Sequence, residues 1–304
     1  MYPGGSQDIQ LEQGKGLAPP ARVIAVVNQK GGVGKTTTAV NLAASLAASD
    51  WGTLLIDLDP QGNASSGFGC HQPSVQVYDA LLGQKSFREV ALQTALPLLQ
   101  LIPATPDLVG AEIELVPLED RSERLKKALV PDLDKYNFIF IDCPPSLGLL
   151  TLNALSAADS VLIPMQCEYY ALEGLAHLMK TISRVREYSN PHLKVEGIIF
   201  TMFDPRANLS RQVAEEARGF FGNDIYKTAI PRNVRLSEAP SHGKPALLYD
   251  LRSTAAQAYI ELARELLVRN EVFFPRRLPP SLSLIHISEP TRRTPISYAV
   301  FCLK

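Results

Sequence analysis

Asn28-Gln29-Lys30-Gly31-Gly32-Val33-Gly34-Lys35-Thr36-Thr37-Thr38 is the stretch of this chain best equipped to hold a phosphate. Gly31, Gly32 and Gly34 let the backbone curl so that several N–H groups face one anion. Lys35 adds a full positive charge, and a helix opening near it adds its positive end. The common phosphate-loop pattern, G-x-x-x-x-G-K-[ST], needs glycine at position 29, where this chain has Gln29 and, next to it, an extra cation, Lys30. A glycine-rich turn that merely caps a helix is the bland alternative. The ordered sequence of strand, glycines, Lys-Thr and helix argues against it. Thr36, by position, is expected to offer its hydroxyl to Mg2+.

A phosphate site needs carboxylates for the metal and for water. Leu54-Leu55-Ile56-Asp57-Leu58-Asp59-Pro60-Gln61-Gly62-Asn63 places two acids at a strand end, and Asp142 ends Phe138-Ile139-Phe140-Ile141 just before Cys143-Pro144-Pro145. Strand-terminal acids often do no more than cap the next turn. Following a phosphate loop in this order, Asp142 is expected to anchor a Mg2+-bound water and Asp59 to position the attacking one. Phosphoryl transfer is mostly positioning and charge stabilisation, so few groups are needed.

These residues must be held by something regular. Residues 23–27, 53–57, 138–142, 161–164 and 197–200 are short, continuous apolar runs rich in β-branched residues, as strands buried on both faces are. Helical patterns follow at about 35–49, 147–158, 171–189, 209–221 and 254–270, the last with a capping box of Thr254 and Gln257. The alternation predicts an α/β fold, a single doubly wound, mostly parallel sheet flanked by helices. Ligands bind such sheets at the carboxyl ends of the strands, where the motifs lie.

The chain has 304 residues, is 46% apolar and 20% charged, and carries a net charge of -1. That composition excludes disordered, fibrous and bulk-basic DNA-coating proteins. No apolar run is long enough to span a bilayer and no signal segment is evident, so a cytoplasmic protein is expected. Cys70, Cys143, Cys167 and Cys302 are far apart and offer no zinc spacing. The histidines form no catalytic pattern, and His177 falls off the apolar stripe of Leu175, Leu178, Ile182 and Val185. Residues 1–20 read as a flexible leader, residues 21–270 as one α/β domain carrying the phosphate loop, and residues 271–304 as an irregular tail. The tail's LIHISEP and ISYAVFCLK resemble a translated cloning adapter, and the expectation is that the genomic locus does not encode them.

Lys30-Gly31-Gly32-Val33-Gly34-Lys35-Thr36-Thr37 resembles the deviant Walker A motif of the ParA/MinD superfamily. Asp57-Leu58-Asp59-Pro60-Gln61-Gly62-Asn63, Asp142-Cys143-Pro144-Pro145-Ser146, Glu168-Tyr169-Tyr170-Ala171-Leu172-Glu173-Gly174 and Ile230-Pro231-Arg232-Asn233-Val234-Arg235 narrow it to the ParA/Soj branch of partitioning ATPases. The resemblance implies that Lys30, Gly31, Gly32, Val33, Gly34, Lys35, Thr36 and Thr37 bind ATP, that Pro231 and Asn233 contact adenine, and that Thr36 and Asp142 hold Mg2+. Asp59, Lys30 and Lys35 would be the catalytic set. It implies a homodimer sandwiching two ATP molecules, with Lys30 reaching across to the partner's phosphates as an arginine finger does. That dimer would bind double-stranded DNA non-specifically through Arg206 and Arg235, and a ParB-type centromere-binding protein would stimulate hydrolysis and release it. A nucleoid-associated location follows. Pro205 and Ala207 stand where the family has a small residue and threonine, which implies a stiffer loop around Arg206. Two other readings remain open: a MinD-like membrane-surface ATPase, which the mixed signs of Glu261, Arg264, Glu265 and Arg269 disfavour, and a metabolic ligase or kinase, which gives Lys30 no evident purpose.

Overall fold

A computed structural model describes residues 21–270; the leader and tail expected at the two ends lie outside the described residues. Seven strands form one sheet: β1 (Arg22–Val26), β2 (Thr53–Asp57), β3 (Leu92–Gln93), β4 (Leu99–Ile102), β5 (Phe138–Asp142), β6 (Ser160–Gln166) and β7 (Lys194–Thr201). Their order in space is β3-β4-β2-β5-β1-β6-β7. Every pairing is parallel except the edge hairpin of β3 and β4. The five strands expected from apolar runs are all present, because each is long enough and apolar enough to be covered on both faces.

Alternate residues of β1 divide between two cores. Ile24 and Val26 pack with α1 (Lys35–Ala48), α2 (Asn63–Gly67) and the C-terminal helices; Val23 and Ala25 pack on the opposite side. That opposite layer holds α3 (Val77–Leu81), α4 (Phe87–Val90), α5 (Leu108–Glu114), α6 (Arg124–Leu129), α7 (Leu149–Ala157), α8 (Ala171–Tyr188) and α9 (Asn208–Phe221). The chain then adds α10 (Val234–Glu238), α11 (Ala246–Tyr249) and α12 (Thr254–Arg269). α1 is buried almost throughout, its alanines letting it sit close between the sheet and α12.

The N-cap of α12 corrects the sequence expectation. Ser253, not Thr254, takes extended backbone and accepts a hydrogen bond from the Ala256 N–H at 3.2 Å. Gln257 donates to the Leu251 carbonyl at 2.7 Å, and Thr254 accepts from Asn233 Nδ2 at 2.9 Å. Ser, Thr and Asn all cap well, so the sequence alone does not fix which of adjacent hydroxyls does so.

Two close features matter below. At the amino ends of the strands, the buried Glu196 carboxylate takes Arg22 at 2.9 Å, Ser160 at 2.6 Å and Asn270 at 2.8 Å. Beyond α2, Gly69 and Gly243 meet backbone to backbone: a Cβ on Gly243 would stand 2.7 Å from Gly69 Cα. Both glycines take left-handed backbone, with φ of 75° and 61°.

Candidate nucleotide site

The loop between β1 and α1 has the curl expected of an anion cradle. Gly32 and Gly34 have φ of 75° and 86°, a region costly for side chains with a Cβ. Above Gly31 and Gly32 there is open space, with no atom within 4 Å of where a Cβ would stand. The first bond into α1 runs from Thr38 N–H to Gly34 O at 2.9 Å, so the N–H groups of Lys35, Thr36 and Thr37 belong to the unsatisfied first turn. Two side chains pin the loop: Asn28 donates to Pro164 O at 2.8 Å, and Thr201 donates to Val33 O at 2.7 Å. Lys35 is 7% exposed, with its ammonium 3.2 Å from Lys30 O. Burial lowers its pKa, and the Asp142 and Asp59 charges oppose that shift.

β2 and β5 are neighbours in register, which sets Asp57 directly beside Asp142. Asp57 is held by Ser65, whose N–H and hydroxyl donate to Oδ2 at 2.8 and 2.7 Å, and by Asp59 N–H at 3.2 Å. Burial still pushes it up to about 6, with those hydrogen bonds opposing and the Asp59 charge adding. Asp142 differs. Neither of its buried oxygens has a well-formed hydrogen bond. Burial raises it well above the carboxylate range, the charges of Asp57 and Asp59 add to the rise, and the nearby Thr36 hydroxyl and Lys35 oppose it. A buried, unsatisfied carboxyl facing a lysine and a threonine hydroxyl fits a cation's requirements. Asp59, 7% exposed, accepts from Gln61 N–H at 3.0 Å and lies at the mouth of the same cluster.

The structure therefore brings Gly31, Gly32, Val33, Gly34, Lys35, Thr36, Thr37, Asp59 and Asp142 together. Lys30 stands apart at the rim, half-exposed, its ammonium paired with Glu168. The adjoining Tyr169 and Tyr170 are 75% and 69% exposed and pack edge to face, so they serve no core. Pro231 lines a groove of about 770 Å³ with Phe203, Thr254 and Gln257. Asn233 caps α10: its oxygen accepts from Arg235 N–H at 2.8 Å while its amide donates to Thr254. Arg206 and Arg235 are separate from the cradle and already partnered. Arg206 lies on Asp204 at 3.1 Å; Arg235 lies on Glu238 at 2.8 Å and Asp250 at 3.3 Å. Sequence reasoning missed Ser65 and Thr201, since single hydroxyls outside any motif give no signal.

The AAA domain family matches residues 21–195. The chromosome partitioning protein ParA of Myxococcus xanthus is 57% identical over 265 residues, covering 86% of this chain and 94% of that protein. This chain belongs to the ParA/Soj family of chromosome-partitioning ATPases. The sporulation initiation inhibitor protein Soj of Bacillus subtilis is 55% identical, covering 80% of this chain and 97% of its own. Among solved structures, cobyrinic acid a,c-diamide synthase from Mycobacterium smegmatis with bound ADP and magnesium has a TM-score of 0.72 at 36% identity, covering 85% of this chain and 98% of that one. McdA of Cyanothece in complex with ATP reaches 0.75 at 21% identity over 83% and 98%, a likeness of fold alone. The ParA/Soj assignment and the cradle geometry agree on an ATPase.

Proposed function

We propose that this ParA/Soj ATPase binds ATP and Mg2+ in the described cradle, pairs with a second copy around the nucleotide, and holds double-stranded DNA without sequence preference until hydrolysis releases it. The observation that carries this reading is Lys30. A cation needed for its own phosphates would turn into its own cradle, as Lys35 does. Lys30 instead sits at the rim, paired with an equally exposed Glu168 and available to a facing subunit. Gly31 to Thr37 would wrap the phosphates, and Thr36 and Asp142 would hold the metal. When bound, Mg2+ supplies neutralisation of phosphate charge. Asp59 orients the attacking water, Lys35 stabilises the transferred group, and Pro231 and Asn233 flank the adenine.

Arg206 and Arg235 supply the DNA contacts. Both lie in exposed ion pairs, which are weak enough for DNA phosphates to displace the carboxylates; two copies present a doubled set, and each phosphate neutralised steepens the salt dependence by about 0.9 in log-log slope. A ParB-type protein stimulates turnover. The expected location is cytoplasmic and nucleoid-associated, with no stable membrane association. No helix among the described residues is long and apolar enough to cross a membrane. The cations of α12 are also spent within the chain, Arg264 on Glu261 at 2.5 Å and Arg269 on Glu265 at 3.0 Å, which leaves no basic face on that helix for a lipid surface. The likeness to a diamide synthase favours a second reading, a metabolic ligase, which product analysis with candidate carboxylic acids separates from plain release of ADP and phosphate.

The deciding experiment is DNA co-sedimentation with ATP, ADP and no nucleotide. Retention confined to ATP is expected. Equal retention in all three, by a chain that stays monomeric with a non-hydrolysable analogue, would overturn the reading.

A further inference from the structure

α2 is five residues long, opens on a left-handed Gly62 with φ of 62° and has no side-chain cap. A helix that short has little stability of its own, so its place is set by what it is bonded to. Ser65 makes those bonds. Its N–H and its hydroxyl both donate to Asp57 Oδ2, at 2.8 and 2.7 Å, and the same hydroxyl accepts the Ala104 N–H, just past β4, at 3.0 Å. A hydroxyl can donate and accept at once, so this one side chain joins three segments. The fit around Ala104 is close as well: a Cβ on Gly62 would stand 3.0 Å from the Ala104 carbonyl oxygen. Ser65 is buried, so these bonds are made away from water.

The bonds converge on the acids of the site. Asp57 Oδ1 accepts the Asp59 N–H at 3.2 Å, so the carboxyl that Ser65 holds in turn holds the backbone of Asp59. One tight turn then leads from Asp59 to α2, with Gly62 N–H on Asp59 O at 2.9 Å and Gln61 N–H on Asp59 Oδ1 at 3.0 Å. Asp57 and Asp142 lie side by side across β2 and β5, yet Asp57 has both oxygens occupied and Asp142 has neither well bonded. The carboxylates that oppose the lowered pKa of Lys35 are those of Asp142 and Asp59. Asp57 is turned toward α2, and it meets the site through Asp59.

We propose that Ser65 is a positioning residue for hydrolysis: through Asp57 it fixes the backbone of Asp59, and with it the direction in which the Asp59 carboxylate meets the attacking water. This rests on the role given to Asp59 above and adds the residue that aims it. Misdirecting a water-orienting group lowers kcat without loosening a nucleotide whose phosphates are held by other residues. Outer-shell partners in metal sites contribute roughly 10- to 100-fold to activity.

The test is steady-state ATP turnover by the full chain at saturating Mg2+, with Ser65→Ala, Ser65→Cys and Ser65→Thr. Ser65→Ala should lower kcat by roughly tenfold or more, while KM for ATP and ATP-dependent dimers stay within about twofold of wild type. Ser65→Cys keeps the shape with only a weak donor; its kcat should fall in between, and it gives the same reading if the alanine variant does not fold. Ser65→Thr keeps the hydroxyl and should restore most of kcat. Ser160→Ala controls for stability alone. It removes a buried hydroxyl from Glu196 at the other end of the sheet and should lower the unfolding midpoint without changing kcat. Wild-type kcat in a folded Ser65→Ala or Ser65→Cys would overturn the proposal, as would an equal loss of kcat in Ser160→Ala or a loss carried by KM alone. A folded Ser65→Thr as slow as Ser65→Ala would overturn it too. If Asp59→Ala kept full turnover, the role of Asp59 itself would fall, whatever Ser65 did.

Discussion

Asp142 and Glu196 are both buried carboxyls, at opposite ends of the same sheet, and they are treated in opposite ways. Glu196 meets a guanidinium, a hydroxyl and an amide; Asp142 meets no completed hydrogen bond. A buried acid that is fully partnered holds strands and helix together. One left short must be served by something from outside, and its cost is borne by the surrounding fold. The difference separates the end of the sheet proposed to bind the nucleotide from the end that packs. At the packing end the Tyr226 hydroxyl departs from the pattern: it is buried without a hydrogen-bond partner, with the Arg269 guanidinium 3.9 Å from the ring centre.

The comparison can be broken by mutation. Lys35→Ala should lower ATP turnover by about a hundredfold or more and abolish nucleotide binding, with the fold intact by circular dichroism; retained ATP affinity would remove Lys35 from the cradle. Glu196→Ala should cost about 3–5 kcal/mol in denaturant unfolding, because it removes the buried carboxylate that balances the Arg22 charge, while nucleotide affinity is unchanged. Asp142→Asn should do the reverse, leaving nucleotide-free stability no lower and stopping turnover. If the two substitutions gave the same stability change, the contrast drawn between the ends would be false.

Glu265, on α12, supplies a gentler test of a partnered carboxylate. Its carboxylate accepts from Lys227 N–H at 2.8 Å, Thr228 N–H at 2.9 Å and Thr228 Oγ1 at 2.8 Å, and pairs with Arg269. Burial works against the charge, yet these bonds together hold its pKa below the usual value of 4.5. Its stabilisation is therefore present above that usual value and is lost as pH falls through the lower folded-state value. Glu265→Gln should cost about 1–2 kcal/mol at neutral pH, and the gap from wild type should close in acid melts. The smallest expected effect is at Ser253→Ala, about 1 kcal/mol from the lost cap; a larger loss at Thr254→Ala would restore the capping box read from the sequence.

The five apolar strands were legible as continuous runs covered on both faces, and the five longest helices by their length. The segment from 63 to 136 was not. Its helices of four to seven residues and the two-residue strand β3 are too short to show a period, and they hold their places by tertiary contact. The cradle glycines, Lys35 and Asp142 were legible from type and order. What no order of residues showed was the register that sets Asp57 beside Asp142, or the reach of Ser65 from α2 back to β2. Asn233 is a mixed case: the resemblance marks it for adenine, and the structure engages both ends of its amide in capping α10 and in Thr254.

The bare contact of Gly69 with Gly243 has an evolutionary consequence. One belongs to the stretch that descends from Asp59, the other to the stretch that follows Arg235. Gly243 has no room for even one more carbon while Gly69 stays where it is, and Gly69 is held there by a backbone turn that side chains resist. A lineage cannot alter Gly243 alone and keep the seam closed. A side chain in place of the later glycine has room only if the loop that carries Gly69 moves.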